Sequence, residues 1–199
     1  MGRAVTSVAD PPFRLAGGAA VPPQSGAMTT GSTPQPPLAH PARRTVPLPD
    51  EAATARLARR LAAALVPGDL VALRGDLGAG KTALSRALIR AVTEEEAEVP
   101  SPTFTLVQTY ETDIGPVWHF DLYRLSGPDE VTELGWDEAR AESVLLVEWP
   151  DRLGPLLPGD HLEVKMTFTG PDSRQAELIG HGAWEGRLDA LDLSGLEQP

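Results

Sequence analysis

Between Asp50 and Leu65, apolar residues recur at helical intervals (Ala53, Leu57, Leu61, Ala64, Leu65) until Pro67, Gly68 and Asp69 interrupt them. Asp50 is placed to cap this stretch and Glu51 falls in its first turn, so the spacing predicts an amphipathic helix packed on a sheet. Leu70 to Leu73 is instead continuously apolar, the pattern of a strand buried on both faces of a parallel sheet. A glycine-rich turn follows, and Lys81 to Val92 returns to the helical period. Thr93 to Glu98 reads as an acidic turn. Pro100 and Pro102 then fix an extended loop ahead of a β-prone run that reaches Tyr110. Val117 to Arg124 reads as a strand. Leu125 to Arg140 holds two short helical pieces around Gly135 and Trp136, with Pro128 at a helix start. Ser143 to Trp149 is a second apolar strand. His161 to Thr169 alternates, Gly170 to Ser173 turns, and Gln175 to Gly180 returns, which predicts a hairpin. Trp184 to Leu191 closes as a terminal helix, and no internal repeat is present.

Strands alternating with helices predict the α/β class, with a mixed, mostly parallel sheet that ends in a C-terminal antiparallel hairpin. The 199 residues, with 20 Pro and 19 Gly, leave room for one such domain and some unfolded length. Residues 1–44 are rich in Pro, Ala, Gly, Ser and Thr and are expected to form a disordered tail. Order is expected over 45–191, with 192–199 as a flexible C-terminus.

Zero cysteines exclude disulfides, thiolate catalysis and Cys-based metal sites, and the four His (His40, His119, His161, His181) are too scattered to suggest a metal cluster. The net charge of −11 argues against direct nucleic-acid binding, which needs a basic stripe to release counterions. If RNA is involved, a partner must hold it. No apolar run reaches the roughly 18 residues of a membrane span, and the N-terminus lacks a signal-peptide core, so a cytoplasmic location is expected.

The chemistry is concentrated in Leu70 to Leu84, LVALRGDLGAGKTAL, which matches G-x-x-x-x-G-K-S/T between a strand and a helix. Gly75 and Gly80 let the backbone turn so that successive N–H groups can face phosphate oxygens, and the following helix adds its positive dipole end. Lys81 would reach the outer phosphates, and Thr82 would take one position on an accompanying Mg²⁺. This predicts a three-layer P-loop NTPase domain.

Three later stretches bear on the same chemistry. Ser101 or Thr103 would sense a γ-phosphate, or the loop is an ordinary connection; spacing does not separate the two. Asp121 shares a strand face with His119 and sits near the strand end where α/β sheets bind ligands, or else it caps the next turn. Ser143 to Trp149, SVLLVEW, runs four apolar residues into Glu148, the Walker-B arrangement that presents an acid toward the metal. Trp149 is either core packing or a lid, with packing the default.

Taken together, GDLGAGKT, SPTFTLV, HFDLYRL and LLVEWPDR resemble, in that order and spacing, the TsaE (YjeE) family over about Thr45 to Ile179. The resemblance implies a compact P-loop domain that binds ATP or ADP with Mg²⁺ and hydrolyses ATP slowly. It implies action with TsaD and TsaB, which transfer threonylcarbamoyl onto adenosine 37 of tRNAs reading codons that begin with A, with the ATPase resetting or activating that complex. Position by position, it implies a phosphate cradle of Asp76, Leu77, Gly78, Ala79, Gly80, Lys81 and Thr82, with Thr82 and Glu148 as magnesium ligands. Asp121 resembles the acid needed for hydrolysis, Thr103 the sensing threonine, and Trp149 the tryptophan beside the site. Arg174 and residues near Thr45 resemble positions close to the adenine. Ala83 departs from the second threonine of many members.

Two other classes compete. A small-molecule kinase shares the loop and the size, but Arg124, Arg140 and Arg152 are not clustered as an arginine-bearing lid. A regulatory GTPase normally selects guanine with N-K-x-D, and the chain contains no asparagine.

Overall fold

A computed structural model describes residues 41–93 and 97–196. The elements, in chain order, are β1 (Arg43–Leu48), α1 (Glu51–Ala62), β2 (Leu70–Arg74), α2 (Lys81–Ala91), β3 (Val107–Tyr110), β4 (Val117–Asp121), α3 (Pro128–Thr132), α4 (Trp136–Glu142), β5 (Val144–Glu148), β6 (His161–Phe168), β7 (Arg174–His181) and α5 (Trp184–Ala190). A 3₁₀ segment, Pro150–Leu156, follows β5 and kinks at Gly154.

The strands form one sheet in the order β1-β7-β6-β2-β5-β4-β3. Its centre is parallel, with β2 flanked by β5 and β6, and β4 parallel to β5; its edges are antiparallel. The hairpin β6–β7 thus enters through its first arm, which lies parallel to β2.

Alternation within the central strands divides the core. Val71 and Leu73 of β2, with Val144 and Leu146 of β5, meet α1, α2 and α5 on one face. Leu70, Ala72, Leu145 and Val147 meet α3, α4 and the 3₁₀ segment on the other. A strand sandwiched between two helical layers has no solvent face, which is why these runs are continuously apolar.

Local signals carried the helices. Asp50 adopts extended backbone and its Oδ1 accepts from the Ala53 N–H at 2.7 Å, a side-chain N-cap. The two short helices begin at Pro128 and Trp136, as their sequence suggests.

Four expectations need correction. The first strand begins at Arg43, inside the 1–44 tail; it pairs with β7 and buries Val46 and Leu48. At the other end, Leu193 and Leu196 of the 192–199 segment are buried in the core rather than free. The strand from Val117 stops at Asp121: the Leu122 N–H still donates to the Glu148 carbonyl, but the Leu122 carbonyl accepts from the Leu125 N–H and Asp121 Oδ1 from the Tyr123 N–H, which turns the chain. The β-prone run forms a strand only from Val107. Residues 1–40, 94–96 and 197–199, with the rest of the expected tail and part of the acidic turn, lie outside the described residues.

Candidate functional site

The cleft forms where β2, β4 and β5 end together, because parallel strands in register present their C-terminal ends on one side. Its volume is about 180 Å³ and its lining includes Leu77, Gly80, Lys81, Thr82, Thr103, Asp121, Glu148 and Trp149.

The loop 75–80 needs its glycines for different reasons. Gly75 has φ +137°, and a Cβ there would lie 2.4 Å from the Met166 carbonyl oxygen, so β6 leaves no room for a side chain. Gly80 has φ +105° and immediately precedes α2. Between them Ala79 is fully buried while Leu77 stands 74% exposed at the mouth. Gly78 lies in the same left-handed region, near the ring of Phe168. Asp76 contributes its backbone carbonyl, and its side chain is exposed.

Lys81 is buried, and its Nζ donates to the Gly75 carbonyl at 2.7 Å and the Asp76 carbonyl at 2.9 Å. The ammonium also sits 4.0 Å from the centroid of the Trp149 ring. Desolvation lowers its pKa, against the opposing charges of Glu148, Asp121 and Asp76. Trp149 reaches this place because its backbone is left-handed, φ +60°. It therefore covers the lysine while also packing against the core on that face of the sheet, and Tyr123 packs on it at 5.0 Å between centroids.

Glu148 ends β5 almost wholly buried. Its Oε2 accepts from Thr82 Oγ1 at 2.9 Å, and its Oε1 lies 2.9 Å from Nε2 of the fully buried His119. Asp121 accepts at Oδ2 from Thr103 Oγ1 (2.8 Å) and at Oδ1 from the Tyr123 N–H (3.1 Å). Both readings of Asp121 therefore hold: it caps the turn after β4 and faces the cleft. With the Thr103 proton given to Asp121, Ser101 is the donor in the 2.8 Å contact between the two hydroxyls. Leu106, with Trp149 one of two non-glycine residues at positive φ among those described, closes this loop, and its carbonyl accepts from the Asp121 N–H at 2.9 Å.

The structure thus brings together Lys81, Thr82, Thr103, Asp121, Glu148 and Trp149. Arg174 stands apart from the lining: it stacks on Phe168 at 4.5 Å and donates to the Pro171 and Ser173 carbonyls. Two contributors went unassigned from the sequence, His119 beneath Glu148 and Tyr123 against Trp149. The alternation that put His119 on the face of Asp121 was the available signal for the first.

A magnesium ion fits the donor set. Two nearly buried carboxylates, Asp121 and Glu148, face one ammonium, and the Thr82 hydroxyl already converges on Glu148. Hard oxygen donors with an excess of negative charge suit such a cation.

Comparison with known proteins shows what the chain is similar to. The family model described as "Threonylcarbamoyl adenosine biosynthesis protein TsaE" matches residues 48–176. A Rickettsia felis protein named "tRNA threonylcarbamoyladenosine biosynthesis protein TsaE" is 39% identical over 149 residues, covering 75% of this chain and 87% of the relative. The Bacillus subtilis protein of the same name is 37% identical, covering 65% and 80%. The crystal structure of Bacillus subtilis YdiB superposes with a TM-score of 0.62 at 26% identity, covering 76% of this chain and 95% of that one. The P-loop cleft, the acids at the ends of β4 and β5, and a family match across most of the described residues lead to one conclusion: this chain belongs to the TsaE family of tRNA threonylcarbamoyladenosine biosynthesis proteins.

Proposed function

We propose that the cleft binds ATP or ADP with Mg²⁺ and hydrolyses ATP slowly, as a cytoplasmic subunit acting with TsaD and TsaB in threonylcarbamoylation of tRNA adenosine 37. The observation that carries this reading is the Thr82–Glu148 bond across the end of the P-loop, which sets a hydroxyl and a buried carboxylate side by side beneath Lys81.

In this reading Lys81 exchanges the loop carbonyls for phosphate oxygens, and the amides of 76–82 hold the remaining phosphate charge. Thr82 and Glu148 would hold a Mg²⁺ ion, which when bound would supply charge neutralisation on the phosphates. Asp121 orients the attacking water, and Thr103, hydrogen-bonded to Asp121, couples the loop 101–106 to the occupancy of the outer phosphate site. Trp149 shields Lys81 from solvent. Arg174 and residues near Thr45, outside the cleft lining, would approach the adenine of a bound nucleotide.

No arginine lines the cleft among the described residues. Low intrinsic turnover and stimulation by a partner follow, since an arginine finger in trans is worth ~10³–10⁵ in rate. The acidic chain meets tRNA only through its partners and has no measurable tRNA affinity of its own at moderate salt.

The test is phosphate release from Mg-ATP by the purified chain, alone and with a TsaD–TsaB pair. Lys81→Ala should bind no nucleotide, and Asp121→Ala should bind it but fail to hydrolyse. Release that the pair does not raise, together with phosphate transfer to small metabolites, would replace this reading with a kinase.

A further inference from the structure

The four histidines carry no metal-ligand spacing along the chain, yet the hairpin brings two of them face to face. His161 opens β6 directly opposite His181 at the end of β7, and Glu163, two residues on, shares their side of the sheet. One ligand atom from each of the three lies within 4.8 Å of the other two. The rings are stacked, with centroids 4.2 Å apart and 12° between planes.

The hydrogen bonding leaves both rings incomplete. His161 is buried, and its Nδ1 lies 2.8 Å from the Pro158 carbonyl, which can only accept, so Nδ1 carries the proton. Its Nε2 therefore presents a lone pair, and that atom is buried with no hydrogen-bond partner. His181 Nε2 is also buried without one. Orphaned buried nitrogens carry a desolvation cost that a shared ligand would remove. A backbone carbonyl on Nδ1–H is moreover the usual device that fixes the tautomer and orientation of a metal-binding imidazole. Glu163 is similarly held, through Oε2, by Arg74 Nε at 2.7 Å, leaving its second oxygen for another bond.

We infer that His161, Glu163 and His181 bind one zinc-class divalent cation, pinning the start of β6 to the end of β7. The site lies at the opposite end of β6 from Phe168, which packs beside the phosphate loop, so it is separate from the nucleotide cleft and does not depend on the function proposed for it. Two imidazoles and a carboxylate with an open position for water form a zinc donor set, whereas Mg²⁺ and Ca²⁺ require oxygen ligands. Metal–ligand bonds of about 2.1 Å require the donors to draw in by roughly 1–1.5 Å. Side-chain rotation of the half-buried His181 and Glu163, which opens the stack, supplies that movement.

The experiment titrates the metal-free full chain with Zn²⁺ and with Co²⁺ in buffer free of Mg²⁺ and nucleotide. The expected result is one equivalent retained through gel filtration, the intense visible absorption of four-coordinate Co²⁺, and a rise in melting temperature. His181→Ala and His181→Asn should weaken binding by roughly tenfold or more with ATP binding unchanged, while Glu148→Gln retains the zinc. If a His181 variant does not fold, the cobalt spectrum of the wild-type chain decides. Wild-type protein that holds no metal, His181 variants that hold as much as wild type, or loss of the metal in Glu148→Gln would each overturn the site.

Discussion

Lys81 and Glu148 are charged groups in a nearly dry setting, and each is tolerated through particular partners. Lys81 is held by two loop carbonyls and by the Trp149 face, but desolvation still outweighs the nearby carboxylates and lowers its pKa. Between that lowered pKa and the ordinary 10.5, the unfolded chain binds more protons than the folded one, so the unfavourable contribution of Lys81 shrinks as pH rises. The urea midpoint of the nucleotide-free wild type minus that of Lys81→Met should therefore climb with pH toward 10.5; a difference that falls would refute the assignment. Glu148 depends on His119 in the same manner. His119→Leu removes the buried group that bonds Oε1, and should cost about 1–3 kcal/mol in urea unfolding. Neither consequence is legible at Glu148 alone, since His119 meets it across the β4–β5 ladder.

Among the elements, the helices were readable because their determinants are local. The Asp50 cap is three residues from the N–H that it serves. Asp50→Ala should cost about 1 kcal/mol and lower the melting temperature by roughly 2–4 °C, and calorimetry checks both. The strand β2 and the loop after it were equally clear, because a continuous apolar run, two glycines and a lysine have few alternative arrangements. The first strand was missed: Arg43–Leu48 is short, contains Pro47 and lies at the sheet edge, where pairing with β7 rather than intrinsic pattern makes it a strand. Trp149 takes both roles that the sequence left open, packing against the core and covering Lys81. Its left-handed backbone is imposed by the exit from β5, where its N–H reaches the Leu73 carbonyl, and that constraint leaves no mark on composition.

For the whole molecule, the three layers fix where the cleft opens, and the C-terminal residues complete one of them. Leu193 and Leu196 close the core beneath α1 and α5, so deletion of 192–199 should cost roughly 2–5 kcal/mol, read as a lower urea midpoint. An unchanged midpoint would mean that these residues cover nothing. Among the described residues no helix is long and apolar enough to cross a membrane. The sheet also explains how residues far apart in the chain become neighbours. Asp69 at the start of β2 accepts from Arg187 and Trp184 of α5, tying the last helix to the strand that carries the phosphate loop.

The sequence alone determined the class of fold, most elements, the phosphate loop and the acids Asp121 and Glu148, because periodicity, capping and glycine spacing act within a few residues of themselves. The tertiary structure decided the strand order, the parallel entry of β6 beside β2, the burial of His119 under Glu148 and the meeting of His161 with His181. Those are choices of partner. They depend on which distant surfaces bury together, and a one-dimensional pattern does not record which apolar face meets which.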